Sequence, residues 1–370
     1  MSAIEGLVAS RAEPRVTEAP RPAVGMVGGG GSAPESLQPV PVTLTSPGSP
    51  LAQIGFSDLY LEHDGVAWYK KAPNDRQGHR LSGLLLTEAR ELLEELRGMT
   101  LSDDGRLRWR GLILRVKRLP TLTGALYVLR RIIEKPVDFH KIGYPTRLER
   151  ALLAPEFDEG GLLMVAGRTG SGKTTALTAY VAERLRTFGG TALTAENPIE
   201  VQIQGRYEGI EGIAGICYQT EVTDDKDFGP RIKDFMRAAP NIIMLGEMRT
   251  ADAAAQAVLA GTSGHLVVVS VHGKDIVSVI DRVRNLVSES GYDISLFADC
   301  LVGVVHQEMF LENIDGEDCR RIEAKPLIVK GSSHEDAIRA YVRGGVLEQM
   351  VSEVERQERV MKLPGKMGEF

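Results

Sequence analysis

The chain has 370 residues, enough for two or three domains, and 43% hydrophobic content supports a full core. A net charge of −6 excludes a globally basic nucleic-acid binder, while leaving room for a local basic patch. Three scattered cysteines, Cys217, Cys300 and Cys319, form no CxxC pair, so neither a zinc site nor a disulfide framework is indicated. No apolar run is long enough to span a bilayer, and no basic start followed by an apolar stretch marks a secretory signal. A reducing cytosol is the expected compartment, and work at a membrane would require recruitment by partners.

Residues 1–50 hold eight of the 18 prolines, a run of four glycines (Gly28 to Gly31) and no aromatic residue. Such a segment buries too little apolar area to offset its ordering entropy, so a disordered tail is expected. From Leu51 the composition changes. Phe56, Leu59, Tyr60, Leu61, Val66, Trp68 and Tyr69 surround the turn residues Asp64 and Gly65, the pattern of strand, turn, strand. Leu85, Leu86, Ala89, Leu92, Leu93 and Leu96 predict an amphipathic helix. A second hairpin is predicted from Gly105–Arg110 and Leu112–Val116, and a last element starts at Tyr127 and runs to Pro136. Residues 51–136 thus read as a small α+β domain, followed by a short linker over 137–145 that Gly143 and Pro145 interrupt.

From residue 146 to 370 strands alternate with helices. The expected elements are 162–166, 174–188, 191–195, 242–245, 251–260 and 266–272, with a helical stretch over 335–362. That alternation predicts a mainly parallel sheet covered by helices on both faces. Between the first strand and the first helix stands Gly167-Arg168-Thr169-Gly170-Ser171-Gly172-Lys173-Thr174, the G-x-x-x-x-G-K-T spacing of a phosphate-cradling loop. A triphosphate needs several backbone N–H donors aimed at its oxygens, and glycines let the chain curl that tightly. Gly167, Thr169, Gly170, Ser171, Gly172, Lys173, Thr174 and Thr175 are the expected nucleotide contacts. Lys173 brings a compact charge to the β- and γ-phosphates, and Thr174 offers a hydroxyl to Mg²⁺. ATP and Mg²⁺ are the expected substrate and ion.

Asn241–Leu245 reads as a buried strand leading to Gly246 and Glu247, and ligands collect at the carboxyl ends of such strands. Glu247 is the candidate base or water-positioning residue. Gly246 stands where many phosphate-loop enzymes carry a metal-binding aspartate, so a second carboxylate must come from elsewhere. Glu196, after the strand ending at Ala195, can fill that place; the alternative for Glu196 and Glu200 is an ordinary acidic loop. His265 and His272 bracket another strand and, seven residues apart, cannot face the same side. His272 is either a structural histidine or a sensor of the γ-phosphate, and the pair does not make a zinc site. Arg115 and Arg130 are two arginines of a basic hairpin region, on either side of a turn from Pro120 to Gly124.

The phosphate loop, the Ala195–Glu200 box, the Gly246–Arg249 box and the His265–His272 box follow the order and spacing of the type II/IV secretion ATPase superfamily. The resemblance runs from about Ile54 to the C-terminus. Ile54–Leu61 is similar to the opening of that family's PAS-like N-terminal domain, and Ala337–Arg343 looks like a stretch of its pilus retraction motors. The resemblance implies a RecA-like ATPase domain over 146–370, preceded by a PAS-like domain over 51–136. It implies a ring of six subunits that hydrolyses ATP between the two domains, with Arg115 and Arg130 reaching the phosphates. It also implies a cytoplasmic motor recruited to inner-membrane components of an apparatus, without direct binding to nucleic acid. Three departures stand out: Asn197 replaces the usual aspartate, Gly273 and Lys274 follow His272, and the four-cysteine zinc module of the pilus-assembly and type II branches is missing. Together with the proline-rich start, they bring the chain closest to secretion and conjugation ATPases of the DotB and TraJ type. The expected task is therefore type IVB secretion or conjugative DNA transfer, with pilus retraction or direct action on DNA as the alternatives.

Overall fold

The computed structural model describes residues 49–363 except 73–74, 100–103, 210–211, 213 and 315–316. The expected tail over 1–50 therefore lies outside the described residues but for Ser49 and Pro50, and so does the side chain of Cys319.

The first part of the described chain is a six-stranded sheet in the order β3-β2-β1-β6-β5-β4. It is built from β1 (Asp58–Leu61), β2 (Ala67–Lys70), β3 (His79–Arg80), β4 (Asp104–Trp109), β5 (Leu112–Thr121) and β6 (Gly124–Arg131). All its pairings are antiparallel. Helix α2 (Gly83–Gly98) follows α1 (Pro50–Gln53) and buries Ala89, Leu92, Leu93 and Leu96 against Leu59, Leu61, Leu114 and Leu129 of the sheet. The hairpin between β4 and β5 turns on Arg110 and Gly111, at φ of 44° and 89°, the left-handed pair that matches the twist of its strands. Arg115 and Arg130 stand directly opposite each other across β5 and β6. Side chains so paired share one face of the sheet.

The second part is an eight-stranded sheet in the order β14-β13-β7-β12-β11-β8-β10-β9. Its strands are β7 (Gly161–Gly167), β8 (Gly190–Glu196), β9 (Gly205–Glu208), β10 (Ala214–Glu221), β11 (Ile242–Leu245), β12 (Leu266–His272), β13 (Leu301–Ile314) and β14 (Glu317–Ile328). The six from β13 to β10 run parallel, and β14 and β9 close the edges antiparallel. Strand alternation divides the core in two. Leu162, Met164 and Ala166 face one cluster with Val267 and Val269, while Leu163 and Val165 face the other with Leu266 and Val268. The first face is covered by α5 (Phe228–Arg237), α6 (Ala251–Thr262), α7 (Ile276–Glu289), α8 (Ile294–Cys300) and α9 (Glu335–Gly344). The second is covered by α3 (Thr146–Leu152), α4 (Lys173–Phe188) and the end of α10 (Met350–Lys362). This is the expected α/β sandwich with a parallel-rich sheet.

Two local features differ from the sequence expectations. The helical stretch over 335–362 is broken: Gly345, left-handed at φ 72°, ends α9 before α10 begins. The segment 137–145 is packed into the core, with Phe139, Ile142 and Tyr144 buried among α3 and α4 side chains. Its residues carry too much apolar surface to be left in water.

Strand β14 forms one edge of the sheet, and its last residue is satisfied by a side chain. The Gln357 carboxamide, fully buried on α10, accepts from Ile328 N at 2.7 Å and donates to Ile328 O at 2.9 Å. It does for one residue what a further strand would do. Gln357→Leu should leave both backbone groups buried and unpaired, at a cost of about 2–4 kcal/mol. Urea unfolding would show a lower midpoint at unchanged slope; an unchanged midpoint would contradict this account of the edge.

Candidate nucleotide site

The phosphate loop joins β7 to α4. Gly167, at φ 148°, has no room for a side chain: a Cβ would lie 2.3 Å from the Gln307 carbonyl oxygen and 2.6 Å from Ser171 Oγ. Gly172, left-handed at φ 84°, stands at the N-terminus of α4 and turns the chain into it. The first N–H groups of α4 therefore point into the loop, where an anion is favoured. Lys173 is buried and donates from Nζ to the Gly167 and Arg168 carbonyls at 3.1 and 3.0 Å. Burial lowers its pKa, opposed by the fields of Glu247 and Glu200. Thr169 is exposed, whereas Gly170, Thr174 and Thr175 are partly exposed on the loop and the first turn of α4. Ser171 Oγ is buried without a hydrogen-bond partner among the described residues.

Sheet order brings the other boxes beside this loop. His272 at the end of β12 is in register with Gly167, and β11 and then β8 follow at the same edge. Glu247, just beyond β11, lies 3.4 Å from His272 Nε2 and 2.7 Å from Arg249 Nη2. Burial and then the charge of Lys173 depress the His272 pKa, with Glu247 opposing, so the imidazole is neutral at neutral pH. Lys173, Glu247 and His272 thus form one electrostatic cluster. His265, at the other end of β12, bonds through Nδ1 to the Pro240 carbonyl at 2.6 Å and takes a structural part.

Glu196 stands at the end of β8, three strands and about 14 Å of sheet from β7. Its Oε1 accepts from Thr194 Oγ1 at 2.6 Å and from Gln219 Nε2 at 2.8 Å, while Oε2 is buried with no hydrogen-bond partner among the described residues. Burial raises its pKa to about 7, against the two hydrogen bonds. A carboxylate oxygen so placed and the Thr174 hydroxyl are hard donors that suit Mg²⁺. A Cβ at Gly246 would come within 3.2 Å of Glu196 Cα, a tight contact.

Arg130 reaches this edge from the first sheet. Arg130 donates from Nε to Asp58 Oδ1 at 2.8 Å, and its Nη1 lies 3.9 Å from Glu200 Oε1. The backbone stitches the same places together: Ile133 N donates to Glu200 O at 3.0 Å and Gln202 N to Ile133 O at 2.7 Å. Arg106 on β4 pairs with Glu221 at the end of β10. Arg115 is half-buried opposite Arg130. Gln219, Thr194 and Gln307 were not singled out from the sequence. Gln219 and Gln307 act on partners far away in sequence, so no local signal marks them, whereas Thr194 stands two residues before Glu196 on the same strand.

The raised pKa of Glu196 has a consequence for stability. Its folded pKa of about 7 exceeds its ordinary value of 4.5, so the folded state favours the protonated form. The penalty is absent below 4.5, grows as the pH rises and is complete above about 7. Glu196→Gln should therefore gain stability relative to the unaltered chain between pH 4.5 and 8, by at most about 3 kcal/mol. Chemical denaturation across that range measures it, and a difference that does not change with pH would contradict the burial of an ionisable carboxyl here.

Residues 94–367 match the family described as "Type II/IV secretion system protein". A protein transport protein HofB homolog of Haemophilus influenzae is 34% identical over 196 residues, covering 50% of this chain and 39% of the relative. Type II secretion system protein E of Xanthomonas campestris is 32% identical over 237 residues, 61% of this chain and 38% of the relative. The chain thus spans roughly four-tenths of the length of these two curated relatives. Among solved structures, the pilus retraction motor PilT with bound ADP superposes at a TM-score of 0.64 with 22% identity, over 82% of this chain and 87% of that one. The Legionella pneumophila ATPase DotB superposes at 0.59 with 19% identity, over 82% and 84%. The last two likenesses bear on the fold alone. The family match covers most of the chain and includes every box of the site, and the chain belongs to the type II/IV secretion system protein family.

Proposed function

We propose that the chain hydrolyses ATP and that six copies form a ring motor in the cytoplasm, recruited to inner-membrane components of a type IVB secretion or conjugative DNA-transfer apparatus. The observation that carries the catalytic part is the meeting of Lys173, Glu247 and His272 at adjoining strand ends. The family match supports it, since it spans the phosphate loop and the other boxes of the site. The choice of apparatus rests on the departures from the family pattern in the sequence. No helix of the described residues is long and apolar enough to cross a membrane.

The residues divide the work as follows. Backbone N–H groups of the loop and of the start of α4 hold the phosphates, and Lys173 moves from its carbonyl partners to the β- and γ-oxygens. Thr174 and Glu196 would hold Mg²⁺, which neutralises phosphate charge when bound. Glu247, a carboxylate flanked by a neutral imidazole and Arg249, orients the attacking water and takes its proton. His272 reads the γ-phosphate by a hydrogen bond. Arg130 and Arg115 come over the nucleotide when the first sheet closes on the second, and meet the charge that develops in transfer. The contact of Arg130 with Glu200 is exposed and weak, so such closure costs little there.

Two experiments test this. Lys173→Ala should abolish nucleotide binding or turnover, while Glu247→Gln should keep binding and lose about two orders of magnitude in turnover. Normal hydrolysis by Lys173→Ala would sink the assignment, and normal hydrolysis by Glu247→Gln would move the base elsewhere. Arg130→Ala and Arg115→Ala should fold and assemble yet hydrolyse slowly, and turnover per subunit should rise with protein concentration through the assembly range. Full activity in both arginine variants, or equal turnover in dilute monomer, would overturn the closing mechanism. Stimulation of turnover by DNA at low salt would favour direct action on nucleic acid.

A further inference from the structure

Strand β13 contributes a residue to the phosphate loop from 136 positions away. Gln307 follows His306, which is paired with Ala166, so it stands beside Gly167 at the mouth of the loop. It is fully buried. Its carboxamide Nε2 donates to the Ser171 carbonyl at 2.6 Å, and its own carbonyl oxygen is the atom that crowds Gly167. The phenol of Tyr144, in the segment between the two sheets, donates to Oε1 of the same carboxamide. Tyr144 is itself buried, edge-on to Phe139 with ring centroids 6.2 Å apart.

The consequence for the loop follows from peptide geometry. In a trans peptide the C=O and the following N–H lie in one plane and point in opposite directions. Holding the Ser171 carbonyl toward Gln307 therefore turns the Gly172 N–H the other way, into the concave side of the loop, where a phosphate oxygen would accept it. A carboxamide can bind either way round, and the Ser171 carbonyl, which only accepts, selects Nε2. Oε1 then faces the Tyr144 phenol and accepts its O–H, so the buried oxygen is not left unpaired.

We infer that Gln307 is a positioning residue for the triphosphate, and that Tyr144 supports its carboxamide from the buried segment over 137–145. The inference rests on the reading of this site as an ATP site and adds how its loop is held.

The test is binding of a fluorescent ATP analogue with Mg²⁺, together with steady-state hydrolysis, for Gln307→Ala, Gln307→Glu, Tyr144→Phe and the Tyr144→Phe/Gln307→Ala double variant. Gln307→Glu keeps the shape but cannot donate to Ser171. Both Gln307 variants should weaken binding and raise KM about tenfold with kcat changed far less, the effect of one lost hydrogen bond. Tyr144→Phe should weaken binding severalfold alone and add nothing in the Gln307→Ala background. If Gln307→Ala fails to fold, Tyr144→Phe, which removes one oxygen, still gives the result by itself. Binding within twofold of the unaltered chain for the folded variants, equal losses in kcat and binding, or additive effects in the double variant would each overturn the inference. Failure of the unaltered chain to bind the analogue would instead overturn the ATP reading, and this inference with it.

Discussion

The end of β7 is pressed between two neighbours, and much of the molecule follows from that. The strand pairs with β12 on one side and β13 on the other, with buried side chains on both faces. Its last residue has a foreign carbonyl at contact distance, so only glycine fits at Gly167. The chain must then leave the sheet at once. The tight turn through Gly170 and Gly172 is the way out, and it delivers the start of α4 with its N–H groups gathered on one side. A phosphate-binding shape thus arises from packing, before any ligand is considered. The same packing sets Gly246 close against Glu196 at the end of β8.

Charge is arranged across adjoining strand ends. Lys173 is held by carbonyls and by the fields of Glu247 and Glu200, while Glu247 is shared between Arg249 and His272. Each charged group is half-compensated by a partner that a nucleotide would displace or join. Lys173 is the buried charge among them, costly to hold without partners and therefore suited to exchange its carbonyls for an anion. The first sheet enters the same balance through Arg130 at Glu200 and Arg106 at Glu221, and through the backbone bonds at Ile133.

Four of the six parallel strands, β7, β8, β11 and β12, and the phosphate loop were legible because their signals are local: apolar runs of strand length, glycines at fixed spacing, and alternation of strand with helix. The hairpins of the first sheet were legible from turn residues, and the facing of Arg115 and Arg130 from their distances to one turn. The long β13–β14 hairpin was not, since the apolar run Leu301–Val305 gives way to charged residues at Glu308, Arg320, Arg321 and Glu323 without an alternating pattern. Missing that hairpin hid Gln307 as well. The segment 137–145 reads as a linker by its glycine and proline, yet Phe139 and Tyr144 draw it into the core. Partners of Glu196 were out of reach for another reason: Gln219 lies on β10, whose pairing with β8 no sequence spacing declares.

The central claim is that a nucleotide sits at the carboxyl edge of the second sheet and is felt by the first. Hydrogen exchange read peptide by peptide, with and without a non-hydrolysable ATP analogue and Mg²⁺, tests it most directly. The account predicts slowed exchange together in the loop over 167–175, at the strand ends 246–249 and 272–273, and where the two sheets are stitched, at 130–133 and 198–202. Protection confined to other parts of the chain, or none at the loop, would contradict it.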